Sequence, residues 1–355
     1  MMNLVKTYKR KIINQHRIDR ILNDYDFKFH CHNLRKRPDF NEKFKLVEKI
    51  AQIDISNISI DNSLIENQRL FQNEEIIKNG LEFYKFIDKC SPDETSLEEL
   101  FLENMKYLIT ENNAKDSRSF CEYRRFPERT IRKIYVNFED RISDIQTLTH
   151  EFCHSFSRTF TDGVRENDKN MSEVPTVICD QLTIVYLMNK YPNLKKNLLE
   201  YSIFTQIQNV KKARISLLEC LVVKVMCNEI KLDDAIKKYG HLYKDFPYLI
   251  DQTLDRIENI KFNDILFESK YLIPQMIALE MRDRLSISKE KTIHDFKTLI
   301  KNEHIFSIDE TLKFLNIENQ KALVDNYINK FHTRIVNYSK SKIKEEKREK
   351  VVYEK

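Results

Sequence analysis

The sequence predicts a mainly α-helical protein carrying one small β-hairpin, and three observations predict it. Only 3 glycines and 7 prolines punctuate 355 residues, too few for the many tight turns of an all-β architecture. Long stretches repeat their apolar residues at helical spacing. One segment, residues 117 to 138, alternates apolar and polar side chains instead, the period of a strand. With 41% hydrophobic and 32% charged residues, the chain is long enough for a substantial core or two subdomains.

The chain opens on a basic stretch, Met1 to Arg20, that lacks the apolar core of a secretory signal. A helix start is legible at Ser91-Pro92-Asp93-Glu94, with a cap, a first-turn proline and a box-closing glutamate. It leads into a stripe of Leu97, Leu100, Leu102 and Met105. In the alternating segment, Ile134, Val136 and Phe138 interleave with Lys133, Tyr135 and Asn137. Phe126-Pro127-Glu128 separates them from Arg118 to Tyr123, which gives two strands and a turn. Ser143 and Gln146 then read as a capping box, and Ile145, Leu148, Phe152 and Phe156 recur as the buried stripe of a helix. A second, strongly apolar helix opens around Glu173 and runs to about Met188.

Several classes of function are excluded as the reading continues. The most apolar later run, Ile215 to Cys227, is broken by Glu219 and Lys224, so no membrane span is expected. The net charge is only +5. Lys9-Arg10-Lys11 and the sign-alternating tail, Lys340 to Lys355, read as solvated helix faces and not as a nucleic-acid surface. Seven scattered cysteines, an odd number, fit a reducing compartment. A cytoplasmic protein is expected.

The chemistry is concentrated on the two central helices. His150-Glu151-Phe152-Cys153-His154 spells His-Glu-x-x-His, and residues four apart share a helix face, so both imidazoles can address one metal ion with Glu151 beside it. Alone, the pattern also fits two histidines on an ordinary amphipathic helix. A zinc site needs a third protein ligand and an open position for water. Glu173 on the second helix supplies that ligand, and Asp180, almost two turns on and on the same face, can accept the other N–H of a ligand histidine. Glu173 could instead close a capping box with Asn170. Other histidines carry less: His30 and His32 flank Cys31 and diverge on any regular backbone, and His241, His294, His304 and His332 stand alone.

The run from Ser119-Phe120-Cys121 through Lys133 to Phe138, Thr147 to His154 and Ser172-Glu173-Val174-Pro175 to Asp180 resembles the thimet oligopeptidase and oligoendopeptidase F family of zinc metallopeptidases. Phe306 to Leu315 resembles the closing segment of that family, and the likeness covers roughly residues 115 to 330. It implies a helical, zincin-like fold with the hairpin lining the active-site cleft, an N-terminal helical region over 1–115 and a catalytic domain over 116–355. It also implies a Zn2+ cofactor held by His150, His154 and Glu173, with Glu151 as the catalytic base. The strand residues Tyr135, Val136 and Asn137 would pair with an extended peptide substrate. Cys153 stands where the family commonly has glycine, and Asp180 where it commonly has glutamate. The later loop of the family, rich in Gly, His and Tyr, matches least: Phe262 to Gln275 offers Tyr271 but no histidine or glycine.

The expected reaction is hydrolysis of internal peptide bonds by a zinc-activated water, with Glu151 moving the proton and a tyrosine stabilising the oxyanion. Tyr271 is the first choice for that phenol; Tyr239, Tyr243 and Tyr248 are the alternatives. Because only about 116 residues precede the hairpin, the cleft is expected to be open enough for oligopeptides and unfolded chains. Two other readings stand beside this one: a peptidase-like interaction protein without turnover, and a processing or effector protease with one protein target. Retention of both histidines, the glutamate between them and the downstream acid argues against the first.

Overall fold

The computed structural model describes residues 14–56, 58, 60, 69–92, 95–110, 119–125, 130–160, 171–259 and 267–353. The expected turn at Phe126-Pro127-Glu128, the basic Lys9-Arg10-Lys11 and Asn170 lie outside the described residues, as do Asp93 and Glu94 of the expected helix start. After an opening helix at 14–22, the helices are α1 (Tyr25–Arg35), α2 (Phe40–Ala51), α3 (Asn73–Cys90), α4 (Leu97–Asn104), α5 (Ile142–Phe160), α6 (Glu173–Lys190), α7 (Lys195–Met226), α8 (Leu232–Tyr239), α9 (Tyr248–Asn259), α10 (Leu272–Leu285), α11 (Lys289–Asn302), α12 (Ile308–Phe314) and α13 (Gln320–Tyr353). The strands are β1 (Leu108–Ile109), β2 (Phe120–Arg125) and β3 (Thr130–Tyr135). Among the described residues no helix is long and apolar enough to cross a membrane.

The chain divides into two compact units, residues 1–58 with 207–272 and residues 59–206 with 273–355. The boundary expected near residue 115 falls inside the second of these. One unit boundary lies within α7, where an unbroken helical sequence offers no linker to read. In the first unit, the buried Arg214 guanidinium donates to the carbonyls of Ala51 (3.1 Å), Ile53 (3.0 Å) and Leu242 (2.8 Å). A charge removed from water needs such partners, and here it ties the end of α2 to the turn after α8.

The second unit is built on α5. Ile145, Leu148, Phe152 and Phe156 are fully buried, as the 3.6-residue period predicts. Phe152 stacks on Phe101 of α4 with centroids 4.2 Å apart, and Phe156 meets Tyr84 of α3 at 4.9 Å. The absence of a side chain at Gly80 lets α3 come this close: a Cβ there would sit 2.9 Å from Leu148 Cδ2 and 3.4 Å from the Phe101 ring. Gly80→Val is therefore expected to cost about 1–3 kcal/mol through overpacking. An unchanged urea midpoint would mean that α3 and α5 have slack.

Two local expectations are corrected. Helix α5 begins at Ile142, so Ser143 lies inside it; the carboxylate of Asp144 reaches back to accept from the backbone N–H of Glu139 (2.7 Å) and Arg141 (2.9 Å). Helix α4 starts at Leu97, after Ser96, whose Oγ accepts from Glu99 N at 3.1 Å. That start turns Leu102 outward at 52% exposure and buries Phe101 and Asn104 instead.

The hairpin forms with Phe120 opposite Tyr135 and Arg125 opposite Thr130. A third strand joins it, giving the order β1-β3-β2 with β1 parallel to β3. Only two residues long, β1 has no alternation to betray it.

Candidate metal centre

Two histidines on α5 and the first residue of α6 converge. One ligand atom each from His150, His154 and Glu173 lies within 4.8 Å of the others. Glu173 Oε2 is 3.9 Å from His150 Nε2 and 3.8 Å from His154 Nε2. The two rings are 5.0 Å apart at 78°, so both nitrogens are presented to one point and not stacked against each other. Three donors of this kind, at this separation, can hold a divalent cation.

The second layer fixes the first. His150 Nδ1 sits 3.2 Å from both Asp180 oxygens and donates its N–H to that carboxylate, which turns Nε2 toward Glu173. Burial would lower the His150 imidazole, but the charge of Asp180 and the hydrogen bond to it outweigh burial and carry it up to about 10. The backbone is held as well. The Thr149 carbonyl accepts from the Tyr84 hydroxyl at 2.6 Å and from Cys179 Sγ at 3.6 Å, and the Thr149 and Thr183 hydroxyls meet at 2.9 Å. These contacts join α3, α5 and α6 directly behind His150. No local pattern marks them, because Tyr84 and Thr183 are ordinary core residues in isolation.

Glu151 is buried beside the three donors. Burial pushes its carboxyl up to about 7, with His150 opposing the rise and Glu173 and Asp180 adding to it. The backbone N–H of Cys121 in β2 donates to this carboxylate, while Glu151 Oε2 has no hydrogen-bond partner among the described residues. A buried carboxylate oxygen without a partner is costly unless a cation or water completes it. Three carboxylates around two imidazoles, in little solvent, are the charge balance that a dication relieves. The residues therefore fit a metal.

The other expected site residues fall differently. Tyr135 belongs to the central strand and is paired with both Phe120 and Ile109. The Val136 N–H donates to Ile109 O at 3.1 Å, and the Asn137 N–H to Ser119 Oγ at 3.1 Å. This stretch therefore lacks the free backbone edge expected of it, because a strand to its other side fills that edge. Among the described residues β2 is the outer strand, and its Cys121 N–H faces Glu151. Tyr271 ends a 3-10 turn at Phe267–Tyr271 in the first compact unit, with Lys270 Nζ 4.5 Å and Lys212 Nζ 5.2 Å from its ring centroid. Of the alternatives in that unit, the Tyr243 hydroxyl donates to Arg214 O at 2.7 Å and the Tyr239 hydroxyl to Glu48.

No family model and no curated protein matches the sequence. Solved structures do match. A Bacillus anthracis protein assigned as an oligoendopeptidase F is 14% identical, with a TM-score of 0.52 over 91% of this chain and 56% of that one. PZ peptidase A, solved with an inhibitor, is 14% identical, with a TM-score of 0.57 over 87% of this chain and 61% of that one. A Chlamydophila abortus protein assigned as a peptidase is 12% identical, with a TM-score of 0.53 over 83% and 55%. The chain thus spans less than two thirds of the length of the structures that it matches. At these identities the likeness is one of fold, and it agrees with the helical, zincin-like architecture that the motifs imply: this chain has the fold of these peptidase structures.

Proposed function

We propose that the protein is a zinc metalloendopeptidase that cuts internal bonds of oligopeptides or unfolded chains. The observation that carries this reading is the convergence of His150, His154 and Glu173 within 4.8 Å, next to a buried glutamate with one unpartnered oxygen. Two histidines, a glutamate and an open position are a catalytic zinc set, and zinc bound there would supply Lewis acidity to a water and to the substrate carbonyl.

The chain supplies the rest. Glu151 accepts the proton of the attacking water and passes it to the leaving amine, a role suited to a carboxyl whose affinity for protons burial has raised. Asp180 holds the His150 ring with Nε2 directed toward Glu173, where it would serve as a zinc ligand. Asp180→Asn, which keeps an acceptor but removes the charge, is expected to weaken zinc binding about 10–100-fold; equal affinity in a chelator competition would remove Asp180 from the site.

Among the described residues β2 is the outer strand of the sheet, and its Cys121 meets Glu151. An extended peptide added there receives main-chain hydrogen bonds whatever its sequence and comes to lie beside Glu151. Folded domains offer no such strand, which supports peptides and unfolded chains as the substrate class.

The function as a whole is tested with a mixed peptide library incubated with zinc-loaded protein and read by mass spectrometry. Internal cuts are expected; an untouched library would refute the peptidase reading.

A further inference from the structure

We propose that Arg282 is the centre of an anion site behind α6, and that the site takes a small inorganic oxyanion of the phosphate or sulfate kind. The site uses none of the metal-centre residues and does not depend on the peptidase reading.

Four helices of the second unit meet there through polar side chains. Arg282 of α10 donates through Nη1 to Gln181 Oε1 on α6 at 3.1 Å and to the Ser202 hydroxyl on α7. Both partners are buried. One turn along α7, Gln206 Oε1 accepts from Arg334 Nη1 of α13 at 3.0 Å, while Gln206 Nε2 donates to the Ser202 carbonyl at 3.0 Å. Two guanidinium groups are therefore anchored at points about 6 Å apart along α7, each through neutral oxygens.

The charges around them do not balance. Arg334 Nη2 lies 2.7 Å from both oxygens of Asp283, and Lys330 Nζ reaches Asp283 at 2.9 Å and Glu280 at 2.7 Å. Arg284 Nε takes the other Glu280 oxygen at 3.2 Å. Arg284, Lys330 and Arg334 thus share the two carboxylates, and neither carboxylate bonds to Arg282. Its hydrogen bonds run from Nη1 alone, which leaves Nε and Nη2 without an acceptor among the described residues. Burial, and after it the charge of Arg334, bring the Arg282 guanidinium down to about 10. An arginine taken out of water normally has an anion beside it, because an unbalanced charge is costly there. Arg282 is half-buried, so an ion from solvent can reach it.

Nε and Nη2 form one edge of the guanidinium fork, whose parallel N–H groups match two oxygens of a tetrahedral oxyanion. Such an ion supplies the missing negative charge, and Arg334 adds to the attraction. Chloride supplies the charge but not the two separate acceptors. Gln181 directly follows Asp180, while Cys179, Asp180 and Thr183 turn to α5. An ion at Arg282 therefore braces α6 on the side away from the metal centre.

The test uses the full-length, metal-free protein and sodium phosphate, with sodium chloride as the comparison at equal ionic strength. Calorimetry should show about one phosphate per chain, and about 10 mM phosphate should raise the unfolding temperature by about 3 °C. Arg282→Gln, which keeps hydrogen bonding but not the charge, should lose both responses and unfold no earlier than the phosphate-free parent. Arg282→Lys, which keeps the charge but not the fork, should bind about tenfold more weakly, and it decides the matter even where the glutamine variant does not fold. A parent that binds no phosphate overturns the site. So does an equal rise in the parent and both variants, which is the general effect of an excluded salt. Chloride as effective as phosphate overturns the choice of an oxyanion.

Discussion

Replacing Glu151 by glutamine is expected to abolish turnover, by about a thousandfold or more, while the protein keeps its fold and its zinc. The carboxamide has nearly the same shape as the carboxylate, and its oxygen can still accept the Cys121 N–H, so neither α5 nor β2 is disturbed. What it lacks is basicity. Removing a general base that also returns the proton to the leaving group costs typically two to four orders of magnitude. The drop should appear in kcat with KM little changed, since in the proposed mechanism the glutamate acts on the water and not on the peptide. A glutamine variant that turns over like the parent, in preparations of equal zinc content, would remove Glu151 from the mechanism.

The second large effect is on the metal. His154→Ala and Glu173→Ala each remove one of the three donors. Zinc content by elemental analysis is expected to fall from one per chain to near zero in either variant. Zinc that binds only the folded state stabilises it by about 2.7 kcal/mol at a hundredfold excess over Kd, so the parent should unfold at higher temperature with zinc than with chelator. Neither variant should show that difference. Full zinc content in both variants would mean that the ion is held elsewhere.

What the sequence made legible was whatever depends on local spacing. The stripe of Ile145, Leu148, Phe152 and Phe156 and the four-residue step from His150 to His154 follow from one helical period, and both appear in the structure where that period puts them. Glu173 and Asp180 were readable because they interrupt an apolar helix, where a carboxylate wants a partner. The alternating segment announced the hairpin. The rest depends on contacts between segments distant in sequence. Nothing local marks Leu108–Ile109 as a strand, so the order that makes β3 central and β2 the outer strand is not legible, and residues 135–137 read as the edge in its place. The Cys121 N–H on Glu151 and the Tyr84 hydroxyl behind Thr149 are tertiary contacts of the same kind. Helix starts were misplaced where a side chain other than the expected one does the capping, as Asp144 does for the loop before α5.

The central claim is that one zinc ion, held by His150, His154 and Glu173, makes this chain a peptidase. The most direct measurement titrates zinc into the metal-free protein and follows cleavage of a fluorogenic peptide in the same cuvette. The rate should rise linearly, reach its plateau at one equivalent and vanish on addition of chelator, and the Glu173→Ala protein should stay flat throughout. Cleavage that ignores zinc and chelator, or a Glu173→Ala protein that titrates like the parent, would contradict it.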